Sequence, residues 1–255
     1  MIYGYSIGAD GNPSAPIKLN NDDYPHMLIT GGTGSGKSYA LQFLLGSILH
    51  SQKDAEIFIC DFKNSADFHY LDGYPFYYTG DSCYEGIMEY YARFDKSRKE
   101  GITTRKRVLI IDEYPGLLMY LGFKDKDEKT KKANEVSIAI ASILSLAREL
   151  RHGIWVITQR ADASLFSNGA RDNFTVVIGL GRLSKEQKGM IFFGEEIPNE
   201  PLRRGEGYLL ADGLGIKKVK YPQIADIADW KWHIYDILMR SLEQNNDLSQ
   251  STPLA

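Results

Sequence analysis

Residues 26–45, HMLITGGTGSGKSYALQFLL, constrain this chain more than any other stretch. Gly31 to Ser38 reads G-x-x-x-x-G-K-S. The apolar run Met27–Ile29 suits a buried strand, and Leu41, Leu44, Leu45 and Ile48 fall at helical spacing. Strand, glycine loop and helix together aim a row of backbone N–H groups and a positive helix end at an anion. Glycine is required because a backbone curled around a phosphate leaves no room for side chains. The spacing therefore predicts a phosphate-binding loop made of Gly31, Gly32, Thr33, Gly34, Ser35, Gly36, Lys37, Ser38 and Tyr39. Lys37 would reach the outer phosphates of ATP, and Ser38 would ligate Mg²⁺.

A second element follows about seventy residues on: Arg107-Val108-Leu109-Ile110-Ile111-Asp112-Glu113. A strand buried on both faces must be apolar throughout, and its carboxyl end opens onto the site. This is the Walker B pattern. Asp112 would hold the magnesium and Glu113 would deprotonate the attacking water. Gly153–Thr158 reads as another buried strand, and Gln159 at its end is placed to sense the γ-phosphate.

The remaining pattern alternates strand and helix. Ile2–Ile7 reads as a strand in a lead-in of residues 1–25, followed by Gly, Asn and Pro punctuation, and Ala55–Cys60 as the strand after the phosphate-loop helix. Residues 65–80 are turn-rich and aromatic, which suits packing more than base stacking. Residues 83–99 form an amphipathic helix, and the run KSRKEGITTRKR after it reads as a solvated basic loop. Residues 121–134 carry five lysines among acidic residues and read as a mobile surface loop or the start of a solvated helix; contact with a nucleic-acid strand is the alternative. Ala133–Leu150 is the clearest long helix, delivering Arg148 and Arg151 to its end. Val176–Leu180 is a strand, Leu183–Phe192 a short helix, and Tyr208–Ala211 with Ile216–Lys220 a hairpin. A last helix is expected over 226–242, and a disordered tail over 244–255.

These elements give an α/β fold: a mainly parallel sheet flanked by helices, with a C-terminal antiparallel hairpin, in one domain over residues 1–243. The net charge of −3 excludes a globally basic surface, so any contact with DNA must be local. Cys60 and Cys83 do not make a disulfide framework, and a buried reduced Cys60 suits the cytoplasm. No apolar stretch is long enough to span a bilayer, so membrane association would come through a partner.

The chain resembles the motor domain of the FtsK/SpoIIIE translocases, within the FtsK–HerA group of RecA-like ATPases. GGTGSGKS resembles the family's phosphate loop, Asp61-x-Lys63 its D-P-K, and VLIIDEYPGLLM its second acidic strand. Ile157-Thr158-Gln159-Arg160 resembles its A-T-Q-R-P, with Ala161 in place of the proline. Arg148, Asn173 and Arg204-Gly205-Glu206 match further family segments. The resemblance implies a homo-oligomeric ring, a hexamer, that pulls double-stranded DNA through its centre with ATP. Lys37, Ser38, Asp112, Glu113 and Gln159 would act within one subunit, and an arginine would come from the next. Arg148 is the first candidate because it follows a long rigid helix, with Arg151 and Arg171 behind it.

The family's anchoring segment, preceding ring-stacking domain and following winged-helix domain have no counterpart in these 255 residues, and the expectation is a minimal motor. That form points to a conjugative plasmid, integrated element or phage. Its partners would then be a relaxase or a secretion channel. Two other classes stay open: a secretion or assembly ATPase with protein cargo, and a slow nucleotide-dependent switch. DNA-stimulated hydrolysis separates the first class from both.

Overall fold

A computed structural model describes residues 1–102, 105–159 and 166–250. In chain order the strands and α-helices are β1 (Ile2–Ile7), β2 (Pro13–Lys18), β3 (His26–Gly31), α1 (Lys37–Ser51), β4 (Glu56–Asp61), β5 (Tyr77–Thr79) and α2 (Cys83–Glu100). Then come β6 (Arg107–Asp112), α3 (Tyr114–Glu128), α4 (Lys132–Leu146), β7 (His152–Thr158) and β8 (Val176–Leu180). The chain closes with α5 (Lys185–Ile191), β9 (Glu206–Ala211), β10 (Gly215–Lys220) and α6 (Ile227–Gln250).

One ten-stranded sheet runs β2-β1-β10-β9-β8-β3-β7-β6-β4-β5. The half from β8 to β5 is parallel, and β9, β10, β1 and β2 extend it antiparallel. Every residue of β3, β4, β7 and β8 is buried, as the continuous apolar runs require. Alternation then sorts side chains between two layers. Met27, Ile29, Ile57, Ile59, Val108, Ile110, Trp155 and Ile157 face α1 and α6. Leu28, Phe58, Cys60, Leu109, Ile111, Ile154 and Val156 face α2, α3 and α4. Both cysteines are free and buried, the Cys60 thiol donating to the Cys83 carbonyl.

Several expectations are corrected. The lead-in holds a second strand: β2 pairs with β1, and β1 joins β10 through Tyr5 and Lys220. Residues 77–79, within the turn-rich segment, form a parallel edge strand beside β4. Of the two readings of residues 121–134 the helical one holds: α3 runs to Glu128, and the Asp125 carboxylate accepts the N–H groups of Lys132 and Ala133 at 2.8 and 2.9 Å. That carboxylate caps α4, which explains why a charged segment stays helical on both sides of a short turn. The long helix stops at Leu146, and Arg148–Leu150 is a separate 3₁₀ turn. The last helix continues to Gln250, so the segment expected to be irregular is helical up to there, with nothing in QNNDLSQ to break it; residues 251–255 lie outside the described residues.

The basic run before β6 is the largest departure. Glu56 accepts Arg93, Arg105 and Arg107 at 3.1, 2.9 and 3.0 Å. Lys106 is fully buried, donating to the Asn21 carbonyl at 2.8 Å. Charges that look uncompensated along the chain are compensated across it.

Candidate active site

The carboxyl ends of β3, β6, β7 and β4 meet at one edge of the sheet, where Asp61 pairs in register with Asp112 and Thr30 with Thr158. A cavity of about 500 Å³ opens there. Thr33, Gly34, Gly36, Lys37, Ser38 and Tyr39 line it from the glycine loop, and Asp112, Glu113 and Gln159 from the strand ends. The sequence-predicted cis residues are thus brought together.

The loop is shaped for an anion. Gly34 and Gly36 have φ of 77° and 101°, and a Cβ on Gly36 would come within 3.0 Å of the Gly205 nitrogen. The Gly205 N–H in turn donates to the Ser35 carbonyl at 2.9 Å, so the turn before β9 braces the loop. Helix α1 starts at Lys37 with no side-chain cap and no acidic residue in its first turn. Its free N–H groups and positive end are left to a ligand. The Lys37 ammonium meanwhile donates to the Gly31 and Gly32 carbonyls at 2.6 and 3.1 Å. Tyr39 turns its hydroxyl to the Pro222 carbonyl at 3.1 Å and also accepts the Ile224 N–H, tying α1 to the segment before α6.

Opposite the loop stand Asp61, Asp112 and Glu113. Burial pushes the Asp112 carboxyl up to about 6, the Asp61 charge adds to the rise, and Lys63 and Lys37 oppose it. Burial likewise raises Asp61, whose Oδ1 has no hydrogen-bond partner. Burial lowers Lys37 while Asp112 and Glu113 raise it. Among the described residues no group of three or more His, Cys, Asp or Glu side chains could hold a metal by itself. Ser38 and Asp112 supply only two hard oxygen donors, which suits an ion such as Mg²⁺ that completes its shell with water and substrate phosphate. The donor set fits Mg²⁺, and Lys37, Lys63, Arg204 and Lys231, which line the cavity with Asp67, Asp112 and Glu113, fit the phosphates of a nucleotide.

Glu113 is bound by two side chains. Its Oε2 accepts the Lys63 ammonium at 2.6 Å and the Gln159 amide at 3.4 Å. Gln159 Oε1 takes the Thr33 hydroxyl at 3.4 Å, so Gln159 links phosphate loop to acidic strand. Lys63 and Arg204, which also lines the cavity, are site residues that pattern reading quoted without a role. The signals were present, in Asp61-x-Lys63 after β4 and in Arg204-Gly205-Glu206 before β9.

The three candidate arginines are elsewhere. Arg148 and Arg151 precede β7, and Arg171 precedes β8, at the amino ends of the parallel strands. A seven-residue strand is roughly 20 Å long, so none reaches the cavity of its own chain. Arg151 reaches Asp22 at 3.4 Å, and Arg171 lies over the Phe193 ring at 5.3 Å. Arg160 and Ala161 lie outside the described residues.

Residues 3–113 match the family model for the central domain of the helicase HerA. The FtsK domain-containing protein YdcQ of Bacillus subtilis (strain 168) is 27% identical over 195 residues, covering 69% of this chain. Both matches support a motor domain of the FtsK–HerA kind, to which the chain is similar over those residues. It spans 38% of the length of YdcQ. In fold, the chain is similar to the pCW3 conjugation coupling protein TcpA in its monomer form with ATPγS (TM-score 0.72, 20% identity, 94% of this chain and 70% of that one). It is also similar to ATPases 2 and 3 of EssC from Geobacillus thermodenitrificans (TM-score 0.67, 13% identity, 99% and 49%). Among the described residues no helix is long and apolar enough to cross a membrane.

Proposed function

We propose that this domain is an ATP-driven motor that moves double-stranded DNA through a homo-oligomeric ring, a hexamer, in the transfer of plasmid, conjugative-element or phage DNA. The observation that carries the reading is the separation just described. The phosphate loop, Asp112, Glu113 and Gln159 share one cavity, while Arg148 stands exposed at the opposite strand ends, where a neighbouring copy's cavity could receive it. The similarity to HerA, to the FtsK domain of YdcQ and to a conjugation coupling protein supports DNA as the cargo.

Bound Mg²⁺–ATP supplies the phosphoryl group to be transferred and a cation that neutralises its charge. The rest falls to this chain. Lys37 leaves the Gly31 and Gly32 carbonyls to face the phosphates. Asp112 and Ser38 hold the metal. Glu113 accepts the proton of the attacking water. Gln159, joined to both Thr33 and Glu113, couples the phosphate loop to the acidic strand end. Work in the cytoplasm, with recruitment to a membrane through a relaxase or secretion-channel partner, completes the proposal.

Steady-state ATP hydrolysis with and without long double-stranded DNA tests it, at low and moderate salt. Stimulation by DNA that fades as salt rises is expected, because contacts to phosphates release counterions. A rate indifferent to DNA in active protein would overturn DNA as cargo in favour of a protein-secretion ATPase or a slow switch.

A further inference from the structure

Glu113 is restrained from several directions. Its backbone sits in the left-handed region at φ 59°, with its N–H on the Ile157 carbonyl at 3.0 Å and its own carbonyl accepting the Leu117 N–H at 3.2 Å. Its Cγ lies 3.1 Å from where a Cβ on Gly116 would stand, so the glycine makes room for it. What freedom remains is rotation of the carboxylate, and there the Lys63 ammonium holds Oε2 at 2.6 Å. A base must present a lone pair to the proton it takes. In this setting one oxygen is turned to a cation, which fixes the rotation of the carboxylate and so the direction in which its other oxygen can face.

Lys63 is well placed to let go. Its side chain is 45% exposed against 17% for Glu113, so the ammonium stands at the solvent side of the pair. The loop that carries it is anchored independently. Asp61 Oδ2 accepts the Ser65 N–H and the Tyr77 hydroxyl at 2.6 and 3.1 Å. The Gln42 amide of α1 donates to the Asp67 carbonyl at 3.1 Å, and the Phe62 ring meets Tyr120 of α3 at 5.5 Å. The loop therefore touches the helix that starts at the phosphate loop and the helix that starts at Glu113.

Resting on the reading of Glu113 as the base, we propose that Lys63 is a positioning residue that keeps Glu113 idle, and that release of its side chain from Glu113 licenses turnover. The test is hydrolysis by the full chain at saturating Mg²⁺–ATP without DNA. Lys63→Met raises kcat about three- to fivefold, the scale of a half-exposed ion pair, with KM unchanged. Lys63→Arg preserves the pair and keeps the wild-type rate. An unchanged or lower kcat in Lys63→Met, or a several-fold rise in its KM, overturns the proposal. Glu113→Gln separates the two layers. A loss of roughly 100-fold or more upholds the base assignment, so that a failure of Lys63→Met then counts against the clamp alone. Full turnover by Glu113→Gln would remove the base assignment and the clamp with it.

Discussion

The two ends of the parallel strands both gather carboxylates and cations, and they treat them differently. At the amino ends Glu56 is almost completely buried and accepts three guanidinium groups. At the carboxyl ends Asp61 keeps a buried oxygen without a partner, Asp112 is held up near 6 by burial, and Glu113 shares one oxygen between two donors. One end has its charges matched within the chain. The other has an unmatched negative group facing an uncapped helix, so its balance awaits something from outside. The contrast holds for the carboxylates: the saturated one is structural, and Asp112 and Glu113 stand at the cavity.

Arg148 is the residue that would break this contrast, since it lies at the saturated end and is exposed. If it completes a neighbour's site, Arg148→Ala lowers hydrolysis by the assembled protein on the order of 10³-fold and leaves stability unchanged. Mixing Arg148→Ala with Glu113→Gln subunits then restores part of the activity; no restoration at any ratio would return Arg148 to a structural role. The next largest effect belongs to the buried carboxylate. Glu56→Ala leaves three guanidinium groups facing each other around a vacancy, which should cost about 3 kcal/mol in urea denaturation. A loss below about 0.5 kcal/mol would mean the amino end is not the structural one.

Much of this was legible beforehand, and the omissions have physical causes. The phosphate loop and the strand ending in Asp112-Glu113 are local patterns, so their spacing sufficed. Lys63 and Arg204 enter the cavity only because β4 lies beside β6 and the turn before β9 braces the loop, and strand order is not written in a local pattern. Arg105 and Arg107 read as solvated because their counter-charge, Glu56, stands some fifty residues earlier, and Lys106 because its partners, Asn21 and Asp22, stand more than eighty residues earlier. Helix α3 passed unread because its charged second half resembles a loop until Asp125 is seen capping α4.

The smallest effect sharpens the comparison at the unmatched end. A carboxyl raised to about 6 binds its proton more tightly folded than unfolded, so stability falls as pH rises from about 4 to about 6 and stays lower above. Asp112→Asn should flatten that fall and be more stable than the parent at pH 7.5 by on the order of 1 kcal/mol, while losing hydrolysis. Urea titrations at pH 4.5 and 7.5 measure it. Equal pH dependence in the two proteins would show that the strain lies elsewhere.

The position of β3 bears on how the protein is made. Met27 pairs with Trp155 and Val176, both more than a hundred residues later, and the turn before β9 that braces the phosphate loop is later still. During synthesis the apolar strand and helix around the glycine loop leave the ribosome more than a hundred residues before the strands that β3 pairs with. Long-range pairing of this kind is slow, and exposed strand edges invite association in the interval. The stretch most readable in the sequence is among the last to take its shape in the cell.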